Sequence, residues 1–155
     1  MPRIKMFPEF PPTEEENEMI NNMEIKESNI IGGGRGVFAK KFIQKGAFIG
    51  WYRGKIVTNP NSDGSYALDV SGRKVCGKKH GNFTSIINCH TGTAYPANVQ
   101  YNQDGSMSTL SNIQPGEELY ADYGESYWTG RPELLYNTIK NNSLKKKTRR
   151  RRVKQ

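Results

Sequence analysis

The chain has 155 residues, which suits one domain with a buried core, or one domain with tails. Its net charge of +8 is local: Lys145, Lys146, Lys147, Arg149, Arg150, Arg151, Arg152 and Lys154 crowd one end without an acid. The rest balances 15 basic against 15 acidic residues, so a uniformly basic fold surface is excluded. Residues 1–24 are proline-rich, then acidic, and read as an N-terminal arm; Thr13 with Glu16 fits a capping box opening a short helix over 13–23. Strands are predicted at Ile30-Ile31, at Gly36–Ala39 and over Ala47–Ile56, with a tight turn at Gln44-Lys45-Gly46. Asn59–Gly64 reads as a loop before a half-buried strand over Ser65–Val70. Ala97–Tyr101 and Met107–Leu110 bracket Asn102-Gln103-Asp104-Gly105, which predicts a hairpin. Gln114-Pro115-Gly116 is another turn. A short helix over 132–140 starts at Pro132, and a disordered basic tail is expected from about 142 onward.

Cys76 and Cys89 form no CxxC pair and no Cys/His cluster, which argues against a structural zinc site; nothing favours a disulfide between them. No apolar run suits a signal peptide or a membrane span, so the expected setting is intracellular and not secreted. The sequons at Asn82 and Asn141 then read as chance matches, because glycosylation needs a secretory route.

Three segments carry candidate chemistry. The run Gly32-Gly33-Gly34-Arg35-Gly36-Val37-Phe38-Ala39 allows close backbone approach to a ligand, but it has neither P-loop spacing nor a following helix. In Asn82-Phe83-Thr84-Ser85-Ile86-Ile87-Asn88-Cys89-His90, followed by Pro96-Ala97-Asn98, an apolar pair runs into a polar cluster. Asn88 can both donate and accept, as recognition of an amino-acid moiety requires; a satisfied loop asparagine fits equally well. His90, with one other histidine in the chain, makes no triad. The third segment is Ile113–Gly124, followed by Tyr127-Trp128 and Arg131-Pro132; its tyrosines could also be plain core aromatics.

Together and in this order, the segments resemble the SET-domain family of protein lysine methyltransferases over about residues 25–128. The matching parts are Gly34–Ala39, the Asn88 segment with Pro96 and Asn98, and Gly116-Glu117-Glu118-Leu119 with Tyr123-Gly124. Phe48–Gly54 fits the family's strand after the Lys45-Gly46 turn, and Tyr123–Trp128 with Arg131-Pro132 is similar to small viral and protist members. Departures are Cys89 where the family has His, a longer gap from Asn88 to Pro96, Ser85 in place of Arg, and Ala121 in place of Phe or Tyr. The cysteine-rich zinc segment that follows many SET domains has no counterpart here.

The resemblance implies a mostly β fold of several small sheets, with pseudoknot-like threading of the C-terminal part and few short helices. It divides the chain into an arm (1–24), the SET domain (25–124), a closing segment (125–142) and a disordered basic tail (143–155). It implies methyl transfer from S-adenosylmethionine to a lysine amine, with no metal. Gly34, Arg35, Gly36 and Val37 would contact the cofactor's methionine part, and Asn88 its charged end. The backbone of Cys89 would read the adenine edge, and Trp128 would cover the adenine. Tyr123 would be the active-site tyrosine and Tyr52 a lysine-channel tyrosine, both catalytic, with Tyr120 and Ala121 on the substrate side. Ala121 would leave room for more than one methyl transfer per lysine. Asp122 reads as structural rather than as a base.

A free lysine has a pKa of about 10.4, so an aromatic channel must desolvate the ammonium and lower that value. The basic run fits a nuclear localisation signal and non-specific phosphate contact through 145–154. The expected substrate is therefore a protein, a histone tail first, and the expected site nuclear, otherwise cytoplasmic. Two competing readings are a catalytically inactive SET-like module that binds protein or nucleic acid, and a nucleic-acid protein acting only through its basic tail.

Overall fold

The computed structural model describes residues 5–57, 67–78 and 81–153, with side chains as far as Ser143. The loop expected over Asn59–Gly64 and the start of the strand expected from Ser65 lie outside the described residues.

The N-terminal stretch is built into the domain rather than standing apart as an arm. Strand β1 (Met6–Phe7) pairs antiparallel with β5 (Gly54–Val57), setting Met6 beside Lys55. Helix α1 (Glu14–Asn21) starts at Thr13 with both halves of the capping box formed. Its Glu16 is buried and grips the Arg53 guanidinium, Nε to Oε2 and Nη2 to Oε1, each at 2.6 Å. Arg53 Nη1 also donates to the Phe10 carbonyl at 2.8 Å. Three parts of the first 60 residues therefore meet at one guanidinium, whose fork geometry suits a carboxylate.

That ion pair explains one departure from expectation. Ala47–Ile56 is two strands, β4 (Phe48–Trp51) and β5, broken at Tyr52-Arg53. Tyr52 N–H donates to the Gly105 carbonyl, and Arg53 turns into the grip of Glu16. Ile30-Ile31 is likewise no strand. The backbone there is satisfied by a side chain and turns: Ser28 Oγ accepts from Ile30 N–H, the Glu118 carboxylate accepts from Asn29 N–H, and Gly33 N–H returns to the Ile30 carbonyl.

The remaining strands are β2 (Met23–Glu27), β3 (Arg35–Ala39), β6 (Ala67–Val70), β7 (Arg73–Cys76), β8 (Asn88–Cys89), β9 (Val99–Tyr101), β10 (Ser106–Thr109) and β11 (Tyr120–Ala121). Among the described residues the strands form four small sheets, ordered β1-β5-β7-β6, β4-β10-β9, β2-β3 and β8-β11. Gly46 and Gly116, at φ +82° and +88°, make the predicted turns. The predicted hairpin is β9–β10, with Asp104 Oδ1 accepting from both Ser106 N–H and Ser106 Oγ. The β8–β11 pair is parallel and joins segments about 30 residues apart, placing Asn88 beside Tyr120 and Cys89 beside Ala121. Val37, Ile49, Ile87, Val99, Met107, Ile113 and Leu119 fill the core between the sheets. Each buried side chain of that size contributes about 1.5–3 kcal/mol.

Two helices follow β11: α2 (Glu125–Thr129) and α3 (Pro132–Val153). The helix predicted at Pro132 is present but does not stop at 140. Its backbone runs on to Val153, within the stretch expected to be disordered, in keeping with the good helix propensity of Lys and Arg; residues 154–155 lie outside the described residues.

Candidate active site

The glycine run forms one wall of a cleft of about 460 Å³. Gly32 and Gly34 take φ of +82° and +63°, and a Cβ at either would meet no atom within 4 Å. The chain edge at this turn is therefore bare and open to the cleft. Gly36 has a different reason to be glycine: a Cβ there would collide with the Glu118 carboxylate. That carboxylate is buried and accepts from Ser28 Oγ at 2.7 Å, Asn29 N–H at 2.8 Å and Tyr120 OH at 3.1 Å.

Asn88 and Cys89 face the glycine run across the cleft. Asn88 Nδ2 donates to the Arg35 carbonyl at 3.0 Å, tying the second segment to the first. The thiol of Cys89 has three partners. Its sulfur accepts from Tyr123 N–H at 3.3 Å and from the Trp128 indole N–H at 3.4 Å, and it donates to Thr91 Oγ1 at 3.3 Å. Cys76 and Cys89 are both free. Trp128, on α2, and Leu134 and Thr138, on α3, complete the cleft.

A second, narrow cavity of about 50 Å³ lies beside it, lined by Tyr52, Ala67, Leu68, Ser85, Tyr101, Tyr123 and Tyr127. The two cavities share Ser85, Tyr123 and Tyr127 in their linings, so these three residues stand between them. The aromatic rings form a continuous series. Centroids are 6.1 Å apart for Tyr52–Tyr101, 6.3 Å for Tyr101–Tyr123, 4.9 Å for Tyr123–Tyr127 and 5.0 Å for Tyr127–Trp128. The Tyr123 hydroxyl donates to the Ile87 carbonyl, which fixes the ring against the core. Burial, then the neighbouring phenols Tyr123 and Tyr52, raise the Tyr101 hydroxyl well above the usual phenol range.

Of the residues singled out in the sequence, Gly34, Arg35, Asn88, Cys89, Tyr123 and Trp128 line the larger cavity, and Tyr52 and Tyr123 the smaller. Four line neither. Gly36 and Val37 turn away from the cleft, toward Glu118 and the core. Tyr120 is buried, stacked on Tyr95 at 4.8 Å and 8°, with its hydroxyl spent on Glu118 and its pKa raised by burial. Ala121 is fully buried in β11 and belongs to the main core cluster, against which Tyr123 packs. Asp122 accepts from Gly124 N–H at 2.9 Å and so shapes the turn into α2. Residues missed include Ser85, Tyr101, Tyr127, Leu134 and Thr138. The only signals for them were the tyrosine next to Trp128 and the i, i+4 spacing of 134 and 138.

The profile of the SET domain matches residues 34–124, more than half of the chain, and the chain belongs to the SET-domain family. No curated protein sequence matches it. Its fold is similar to a chain in the crystal structure of the Chaetomium thermophilum polycomb repressive complex 2, with a TM-score of 0.55 and 21% identity. A second similar structure, ctPRC2 in an autoinhibited conformation bound to S-adenosylmethionine, gives a TM-score of 0.52 and 22% identity. Each match covers 66% of this chain and 15% of the other, so the likeness is that of one domain within a much longer chain.

Proposed function

We propose that this chain is an S-adenosylmethionine-dependent protein lysine methyltransferase. The observation that carries the reading is the junction of two unlike cavities at Ser85, Tyr123 and Tyr127: one roomy and glycine-edged, the other narrow and phenol-lined. Membership of the SET-domain family and likeness to a structure bound to S-adenosylmethionine support it.

The larger cleft fits a cofactor of that size, since small-molecule sites run from about 300 to 1,000 Å³. The bare backbone at Gly32 and Gly34 admits close approach, Asn88 and Arg35 offer polar groups, and Trp128 offers an aromatic face. When bound, S-adenosylmethionine supplies a methyl group already activated on a sulfonium. The protein's work is then alignment and desolvation. Four phenols attract an ammonium head and, as they exclude water from it, lower its pKa so that the proton leaves to solvent on entry. Tyr123, fixed by Ile87, stands at the mouth between donor and acceptor and aligns the amine, where orientation alone is worth several kcal/mol.

The substrate is read as a protein lysine, a histone tail first, and the setting as nuclear, otherwise cytoplasmic. The basic run is read as holding nucleic acid. These readings rest on the charge of 145–154. The direct test is incubation of labelled cofactor with a core-histone mixture, beside Tyr123→Phe. Label should enter a histone with the native chain. The variant, which keeps the ring, should lose about a hundredfold to a thousandfold in kcat, the scale of one transition-state hydrogen bond. Equal labelling by both proteins would defeat the assignment of Tyr123, and no labelling of any protein by the native chain would defeat the function.

A further inference from the structure

The closing helix α3 is held to the glycine run by one buried side chain. Leu134, Thr138 and Asn142 are four residues apart and so share one helix stripe. The first two line the larger cavity. Asn142, 8% exposed, reaches across to Ile31, the residue just before Gly32. Its Oδ1 accepts from Ile31 N–H at 3.0 Å, and its Nδ2 donates to the Ile31 carbonyl at 3.4 Å and to the Thr138 carbonyl at 2.8 Å. One amide thereby joins the end of one cleft wall to the start of the opposite one.

The other flank of α3 is seated as well. Gly92, at φ +83° in the loop that lengthens the gap from Asn88 to Pro96, faces Leu135, Thr138 and Ile139. A Cβ there would come within 3.2–3.3 Å of each. The helix is thus wedged between the inserted loop and Ile31.

We propose that Asn142 is a positioning residue that sets the width of the cofactor cleft. It clips Ile31 to α3, and so orders the glycine run against the Leu134–Thr138 wall before any ligand arrives. Glycines lose more backbone freedom on ordering than other residues, so a cleft edge made of them gains most from an external clip. The proposal rests on reading this cleft as the cofactor site.

The test compares the full chain with Asn142→Ala and Asn142→Asp, the second keeping an acceptor for Ile31 N–H and losing the donor. Three quantities are read: hydrogen exchange at Ile31–Arg35 without ligand, the Kd for S-adenosylmethionine by calorimetry, and kcat at saturating cofactor. Asn142→Ala should speed exchange at Ile31–Arg35 and raise the Kd about tenfold, the scale of one or two net hydrogen bonds. It should leave kcat at saturation within about twofold, and Asn142→Asp should fall between. Unchanged exchange and unchanged Kd would overturn the proposal. A matching loss of Kd, kcat and thermal stability would overturn it too, because that is what general damage does. If Asn142→Ala fails to fold, Asn142→Asp decides by the same readings. If the native chain binds no S-adenosylmethionine, the functional reading fails, and exchange at Ile31–Arg35 still decides whether the clip exists.

Discussion

Cys89 carries a role that its main chain alone could not. Its sulfur is shared between the backbone of Tyr123, which lines both cavities, and the indole of Trp128, which lines the larger one. Cys89→Ala removes the acceptor of both hydrogen bonds and should loosen Trp128, seen as a shift in indole emission in a Trp51→Phe background, with weaker cofactor binding. Cys89→Ser should recover part of both, since a hydroxyl accepts as well but sits on a shorter bond. At Gly36 the outcome is set by crowding. Gly36→Ala drives a methyl into the buried Glu118 carboxylate and should cost about 1–3 kcal/mol in denaturant unfolding, with little change in the unfolding slope. The sequence made Tyr52, Asn88 and Tyr123 legible because each sits in a short motif. It hid Tyr101, whose ring contacts lie 49 and 22 positions away, and it hid the burial of Tyr120 and Ala121, because position within a motif does not tell how a side chain of β11 packs.

At the level of elements, the buried Glu16–Arg53 pair links α1 to the break between β4 and β5, next to Tyr52. Removing one partner leaves the other charge buried alone, so Glu16→Ala should cost about 3–5 kcal/mol, whereas a surface pair such as Lys26–Glu24 is worth at most about 1 kcal/mol. Burial alone would raise the Glu16 pKa, but the hydrogen bonds from Arg53 and Thr13 outweigh it and hold it below 4.5. A carboxyl depressed in the folded state gives stability that is complete above its unfolded pKa and fades as pH falls through the folded one. Thermal stability should therefore drop below about pH 4.5, and Glu16→Gln should flatten that part of the curve. The capping box of α1 and the β9–β10 hairpin could be read from sequence because their signals are local. Strands β1, β8 and β11 could not. Each has only two residues, and its partner lies about 30 to 50 positions away.

For the molecule as a whole, charge and chemistry are separable. The body from 1 to 144 is neutral in formal charge; seven of the eight cations sit on the far end of α3, beyond Asn142, and the eighth is Lys154 in the sequence just after it. Truncation after Ser143 should abolish salt-sensitive binding to duplex DNA, seen as loss of the steep slope of affinity against salt, and should leave methylation of a short peptide intact. The shared boundary of Ser85, Tyr123 and Tyr127 has a kinetic consequence. A guest in the narrow cavity does not have to leave for the other chamber to be emptied and refilled. The demethylated by-product should thus compete with fresh donor but not with peptide, and initial-velocity plots should intersect rather than run parallel, whichever reactant is added first.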